Sequence, residues 1–343
     1  MEFLGDYAVF LAKVSTVVIA VIIVLVTIVV LRRDRGRQNN RHLEVHKLND
    51  SYKMLREKLE QALLEKDELK ALRKAEAKVV KRAKKQEKTE PKSRLFVLNF
   101  DGDIRASAVE SLRHEITALL TIAKPSDEVV LRLESGGGMV HAYGLAASQL
   151  VRIRQAGIPL TVCVDKVAAS GGYMMACIGD RILAAPFAIL GSIGVVAQLP
   201  NLNRLLKKHN VDYEVLTAGE YKRTLTIFGE NTEKGREKFQ EDLEMTHRLF
   251  KDFVASYRSQ LNIEEVATGE IWLGTTALNK KLVDELMTSD EYLAKRATDA
   301  ELFQLHYIEK KSLPERFGMA FGNVLEKGLL KGLTRLNEQK FWQ

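Results

Sequence analysis

The residues best placed to do chemistry lie in Val167-Ala168-Ala169-Ser170-Gly171-Gly172-Tyr173. A serine stands there between small residues and a glycine pair. It follows the apolar run Ile158–Val164, which reads as a buried strand. A hydroxyl flanked by unhindered backbone amides can serve as a nucleophile beside an oxyanion hole. A second cluster, Ser135-Gly136-Gly137-Gly138, follows another apolar strand at Val129–Leu133. Taken singly, either cluster is more often a tight turn than an active site. Two such turns at two strand ends can together offer two N–H donors to one developing oxyanion.

A serine attacks at neutral pH only when a base accepts its proton. His141 follows the first glycine turn but reads equally well as a surface or packing residue on a helix. The other histidines have no motif around them. The Gly-x-Ser-x-Gly elbow is absent, because Ala168 stands where its first glycine belongs. Lysine is the alternative, since desolvation disfavours the ammonium form and lets the amine accept a proton. Lys166 is close in sequence, and Lys222 lies in Gly219-Glu220-Tyr221-Lys222. The residues alone do not choose among these bases.

The elements that position these groups alternate. Strands are expected at Leu95–Phe100, Val129–Leu133, Leu160–Val164, Arg181–Ala184 and Gly194–Ala197. Helices are expected over Ala106–Ile122 and Val140–Ala156, with another opening near Tyr173. Residues 200–260 read as mainly helical, apart from an apolar run at Tyr213–Leu216. Short links between alternating strands and helices define an α/β fold. Cys163 and Cys177 both sit in apolar segments, so neither a disulfide framework nor a cysteine metal site is indicated. The triple glycine lacks the Lys-Ser/Thr pair of a nucleotide loop, and no cofactor or metal is expected.

The folded body is expected to have an anchor. Val14–Leu31 carries no charge and is dominated by Val, Ile and Leu. With Tyr7–Ala12 it reaches the ~20 residues that span a bilayer. An acidic start, and arginines directly after the run, argue against a cleaved signal peptide. The expected layout is an anchor over 1–31, a basic stalk and linker over 32–94, a catalytic body over 95–310 and an amphipathic segment over 311–343. From Leu43 to Val80 the spacing predicts a helix, either a short coiled coil or a solvated stalk. The net charge of +7 resides in that stalk, where 21 Lys/Arg face 11 Asp/Glu. A basic stalk next to a membrane fits anionic lipid better than nucleic acid, which would need the basic residues on the folded body. Arg32, Arg33, Arg35 and Arg37 would by the positive-inside rule place the body in the cytoplasm.

Four segments in this order, Glu134–Gly138, Ala169–Tyr173, Gly191-Ser192-Ile193-Gly194-Val195 and Gly219–Lys222, make the chain resemble the S49 peptidases of the Clp protease/crotonase superfamily. The resemblance covers essentially the whole chain and is strongest over 95–235. It implies Ser170 as nucleophile and Lys222 as general base. It also implies an oxyanion hole from Gly137 or Gly138 together with Gly171, and Ser192 as a hydroxyl that orients the lysine. It further implies a homo-oligomer whose subunits complete one another's sites, and peptide substrates with small or apolar residues, such as signal-peptide remnants or other membrane-associated polypeptides. The expected location is a bacterial inner membrane with the body on the periplasmic side, against the charge rule. One departure is Gly136, where the family usually has proline. Two other classes stay in view. A crotonase-like acyl-CoA enzyme would explain the glycine turns but not the anchor, Ser170 or Lys222. A non-catalytic membrane scaffold of the same fold would draw support only from Gly136.

Overall fold

A computed structural model describes residue 16 and residues 41–86 and 93–309. The chain divides into two units, one of residues 1–44 and 307–343 and one of Val45–His306. Within the first, His42 Nε2 lies 2.9 Å from Glu44 Oε1. Apart from residue 16, the expected span over 14–31 lies outside the described residues, as does the segment over 311–343. Among the described residues, no helix is long and apolar enough to cross a membrane.

The second unit is built on a parallel sheet. Its main path joins β10 (Ala300–Glu309), β2 (Ser93–Gly102), β3 (Glu128–Ser135), β4 (Leu160–Val164), β6 (Arg181–Ala184) and β9 (Glu285–Leu286) in that order. Every neighbouring pair along this path is parallel. The sequence explains why. All five residues of β4 are buried, as are Leu95–Leu98 and Phe100 of β2. Continuous apolar strands suit a sheet covered on both faces. The covering helices include α3 (Val109–Leu120) and α4 (Val140–Gln155). Helix α4 stops as expected, with Gly157 at φ +71° just past its end.

The feature that builds the site is a fork in β3. Its first half, Val129–Arg132, pairs with β4. Its last residue, Ser135, pairs instead with Ala168 of β5 (Val167–Ala169). Strand β5 pairs on its other side with β7 (Ile189–Gly191), and β7 is antiparallel to β8 (Ile271–Leu273). The carboxyl ends of β3, β5 and β7 therefore sit side by side. Each ends in one of the glycine- or serine-bearing turns that the sequence singled out. Crevices at strand carboxyl ends are where open α/β sheets bind ligands.

Several expectations need correction. The helix predicted from Leu43 starts later. Residues Arg41–Lys47 form a strand, β1, because Leu43 and Val45 alternate with His42, Glu44 and His46 at the period of a strand. Helices α1 (Leu48–Leu63) and α2 (Lys66–Gln86) follow, broken where Leu64 turns extended at ψ 145°. The body also begins before Leu95. Leu48 and Tyr52 pack on a core that contains Leu95, Val97, Tyr292 and Leu302. Asn49 clamps the same place, donating to the carbonyls of Ala297 and Ala300 at 3.2 and 3.0 Å and accepting from Leu302 N at 2.8 Å. Further along α1, Leu55, Leu59 and Leu63 are exposed. Gly194–Ala197 is not a strand; the third turn is carried by β7 instead. Between α6 (Asn203–Lys208) and α7 (Glu233–Tyr257) the chain has no helix or strand, the run at Tyr213–Leu216 included. Cys163 and Cys177 are buried free thiols. Burial pushes the Cys163 thiol up to about 12.

Candidate active site

Ser170 joins β5 to the short helix α5 (Gly171–Ala176) with φ 52° and ψ −120°. A non-glycine residue in this region is strained by ~1–3 kcal/mol and stays there only when its surroundings hold it. Two bonds hold it here. Ser170 N donates to Gly191 O at 2.8 Å, and Ser170 O accepts from Met174 N at 3.0 Å. The small neighbours are needed for contact. A Cβ on Gly172 would stand 2.4 Å from Ser135 O, and one on Gly171 would stand 2.4 Å from Tyr143 Cγ.

The first glycine turn closes directly over this serine. Gly137 has φ +86°, and a Cβ there would lie 2.7 Å from both Gly171 N and Ser170 Cβ. A Cβ on Gly138 would lie 2.1 Å from Ile104 O. These positions accept only glycine. Gly136 differs, since a Cβ there meets no atom within 4 Å. The departure from the family's proline therefore leaves no gap in the packing of the turn.

A buried hydrogen-bond chain fixes the turn. Gly137 N donates to Ser135 Oγ at 3.0 Å, Ser135 Oγ lies 2.5 Å from Tyr143 Oη, and Tyr143 Oη donates to Asp103 O at 2.7 Å. The tyrosine has one hydroxyl proton, and a carbonyl can only accept. Ser135 must therefore be the donor to Tyr143. The Gly137 N–H is consumed by this chain. Among the described residues, the N–H groups of Gly138 and Gly171 have no acceptor, and both residues line the cleft with Ser170, so both can donate to a ligand.

Ser170 and its surroundings line a cleft of about 1010 Å³. One wall comes from Gly136–Gly138, Val140, Gly144 and Ser148. The third turn adds Ser192, at φ 51° with its N donating to Glu270 O at 2.6 Å. Helix α7 supplies His247, Phe250 and Phe253. His247 Nε2 lies 3.1 Å from Ile193 O and so ties α7 to the Ser192 turn. Sequence reading passed over His247, because it lacks a motif and its turn partner is 54 residues away.

The candidate bases are not gathered in the same way. Lys222 is exposed on an irregular segment, where its N donates to Gly219 O at 3.2 Å, and it does not line the cleft. Lys166 binds both carboxylate oxygens of Glu134, at 3.0 and 2.9 Å. That hydrogen bond holds its ammonium pKa above the usual lysine value, the wrong direction for a base. His141 is exposed at the start of α4, outside the cleft. The structure thus brings Ser170, Gly137, Gly138, Gly171 and Ser192 together and leaves Lys222 apart within the single chain.

The fold and its cleft define an α/β protein with a peptide-sized crevice at the carboxyl ends of its strands. Comparison with known proteins narrows the class. Residues 2–150 match the description "Peptidase family S49 N-terminal", and residues 152–302 match "Peptidase family S49". The chain is 50% identical over 327 residues to "Probable protease SohB" of Haemophilus influenzae, covering 92% of each. It is 48% identical over 332 residues to the protein of the same description from Buchnera aphidicola subsp. Acyrthosiphon pisum, covering 96% of this chain and 98% of that one. It is also 29% identical over 169 residues to "Protease 4" of Haemophilus influenzae, covering 49% of this chain and 27% of that protein. The chain belongs to peptidase family S49.

Proposed function

We propose that this chain is a membrane-anchored serine endopeptidase in which Ser170 is the nucleophile and Lys222 the general base. The observation that carries the reading is the Ser170 hydroxyl, borne on a strained backbone in the cleft beside the open N–H groups of Gly138 and Gly171. Ser170 Oγ attacks the peptide carbonyl carbon, and its proton passes to the Lys222 amine. The C–O bond forms as the carbonyl π pair moves onto oxygen, where the two N–H donors stabilise the negative charge. Collapse breaks the C–N bond, and the lysine returns the proton to the leaving amine. Water then repeats the sequence on the acyl-enzyme and releases the acid. Gly137 shapes the turn rather than donating, because Ser135 already takes its N–H. Ser192 orients the lysine.

Lys222 is exposed in one subunit, so the proposal includes assembly. The family resemblance implies subunits that complete one another's sites, and the proposal sets the Lys222 of one copy against the Ser170 of another. Residues 14–31 anchor the protein in an inner membrane with the body on the periplasmic side, next to signal-peptide remnants and other membrane-associated polypeptides. The apolar walls of the cleft suit such substrates. Neither the acyl-CoA reading nor the scaffold reading is favoured by an observation at this site.

The test is hydrolysis of an apolar fluorogenic peptide by the detergent-purified full chain. Ser170→Ala and Lys222→Ala should each lose ~10³-fold or more in kcat. Co-expression of the two variants should restore activity if the pair forms between subunits. Full activity in Ser170→Ala overturns the proposal. Loss in His247→Ala equal to that in Ser170→Ala, with Lys222→Ala active, moves the base to His247.

A further inference from the structure

The cleft contains a glycine inside a helix that neither its conformation nor its packing requires. Gly144 lies inside α4, where glycine is the least favourable residue after proline. Its φ is not positive, and a Cβ there would meet no atom within 4 Å. Gly137, Gly138 and Gly171, in the same cleft, would each collide with backbone or ring atoms at 2.7 Å or less. Gly144 is excused by neither conformation nor packing. What it leaves is open volume, and that volume belongs to the cleft.

The position of this space relative to the serine follows from the helices. Val140, Gly144 and Ser148 are four residues apart, so they form one stripe along α4, rising about 6 Å, just over one turn, per step. All three line the cleft. The stripe begins directly after the oxyanion turn, since Met139 is the N-cap of α4. Helix α4 packs against α5. From α5, Met174 faces the same cleft, and its N–H is bonded to Ser170 O. The opening at Gly144 therefore lies about one helical turn from the oxyanion donors, beside a residue tied to the nucleophile. Phe250, across the cleft on α7, adds an aromatic ring.

We infer that Gly144 is a specificity-determining residue: it keeps open a pocket that takes a large apolar side chain, on the substrate residue whose carbonyl Ser170 attacks. This rests on the peptidase reading and adds the size and polarity of the side chain. A methyl group at 144 shallows the pocket, and a leucine fills it.

The experiment measures kcat/KM for fluorogenic peptides that carry alanine, leucine or phenylalanine before the cut. The full-length oligomer is compared with Gly144→Ala and Gly144→Leu. The phenylalanine-to-alanine ratio should fall ~10-fold in Gly144→Ala and ~100-fold in Gly144→Leu, the range that a pocket misfit of this size produces. Both substitutions favour the helix, so the thermal midpoint should rise or hold. An unchanged ratio, or an equal loss on every peptide, overturns the pocket. Binding of the same peptides to Ser170→Ala, with and without Gly144→Leu, separates the two readings. Size-dependent binding that Gly144→Leu removes keeps the pocket even if wild type cleaves nothing. Binding indifferent to size and to residue 144 removes the pocket even if wild type is an active peptidase.

Discussion

Replacing Ser135 with alanine cuts the chain Gly137 N–H → Ser135 Oγ–H → Tyr143 Oη–H → Asp103 O at its centre. Ser135 is 2% exposed, so water does not readily replace its hydroxyl. Gly137 loses its acceptor, and Tyr143 keeps its donation to Asp103 O. A part-buried donor left unpaired costs about 1–2 kcal/mol. Tyr143→Phe should cost less in hydrogen bonding, ~1 kcal/mol, because Ser135 Oγ–H can turn to Gly102 O, 3.3 Å away. The two losses share one bond, so the double variant should fall short of their sum by ~0.5–1 kcal/mol. Catalysis should suffer as well. The freed turn carries Gly138, whose N–H is one of the two oxyanion donors of the proposed mechanism. The kcat of Ser135→Ala should drop ~10–100-fold, less than the ~10²–10³ for outright loss of a donor. Urea midpoints at unchanged slope, with steady-state kinetics on the same preparations, measure both effects. Additive stability losses, or a stability loss with kcat unchanged, would refute the claim that this chain supports the oxyanion turn.

Gly171→Ala places a Cβ 2.4 Å from the Tyr143 ring, so the variant should lose ~1–3 kcal/mol of stability and most of its turnover, read by thermal melting and peptide hydrolysis. Burial opposes ionisation of Asp127, yet the Arg94 guanidinium, at 2.6 and 3.1 Å, and the Lys124 N–H hold its carboxyl below the usual aspartate value. A depressed folded pKa gives stability that is present above the unfolded value near 4 and lost as pH falls through the folded one. Asp127→Asn should therefore destabilise at pH 7 by ~1–3 kcal/mol, and the gap to wild type should shrink below about pH 4 in urea titrations.

The parts of this protein that local sequence dictates were legible. The apolar runs at Leu95–Phe100, Val129–Leu133 and Leu160–Val164 became β2, β3 and β4, because a strand buried on both faces must be apolar throughout. Gly137, Gly138 and Gly171 stood out because close backbone approach leaves its mark in residue type. What did not show was pairing. Nothing in Glu128–Ser135 says that its first half belongs to β4 and its last residue to β5. That fork is what sets Ser135, Ser170 and Ser192 at neighbouring strand ends. His247 was invisible for the same reason: its value lies in reaching Ile193 across 54 residues. The strand at Arg41–Lys47 was hidden by charged residues that also suit a helix, and only the alternation of Leu43 and Val45 marked it.

The placement of the cations says something about control. A lysine that takes the proton of a serine must lie within hydrogen-bond reach of it. The lysine nearest Ser170 in sequence, Lys166, is locked to Glu134, an ion pair that favours the charged form. Lys222 lies on an exposed segment, among side chains that also include the exposed Leu216 and Tyr221. Covering that segment with a second subunit would bury those apolar groups. On the proposed reading, association and activation are then one event. On that reading the isolated chain carries the nucleophile turn and its open N–H donors, and assembly brings the Lys222 of a second copy to them. A membrane peptidase built this way would be silent while its copies are dilute, and its activity would rise more steeply than linearly with its density in the bilayer.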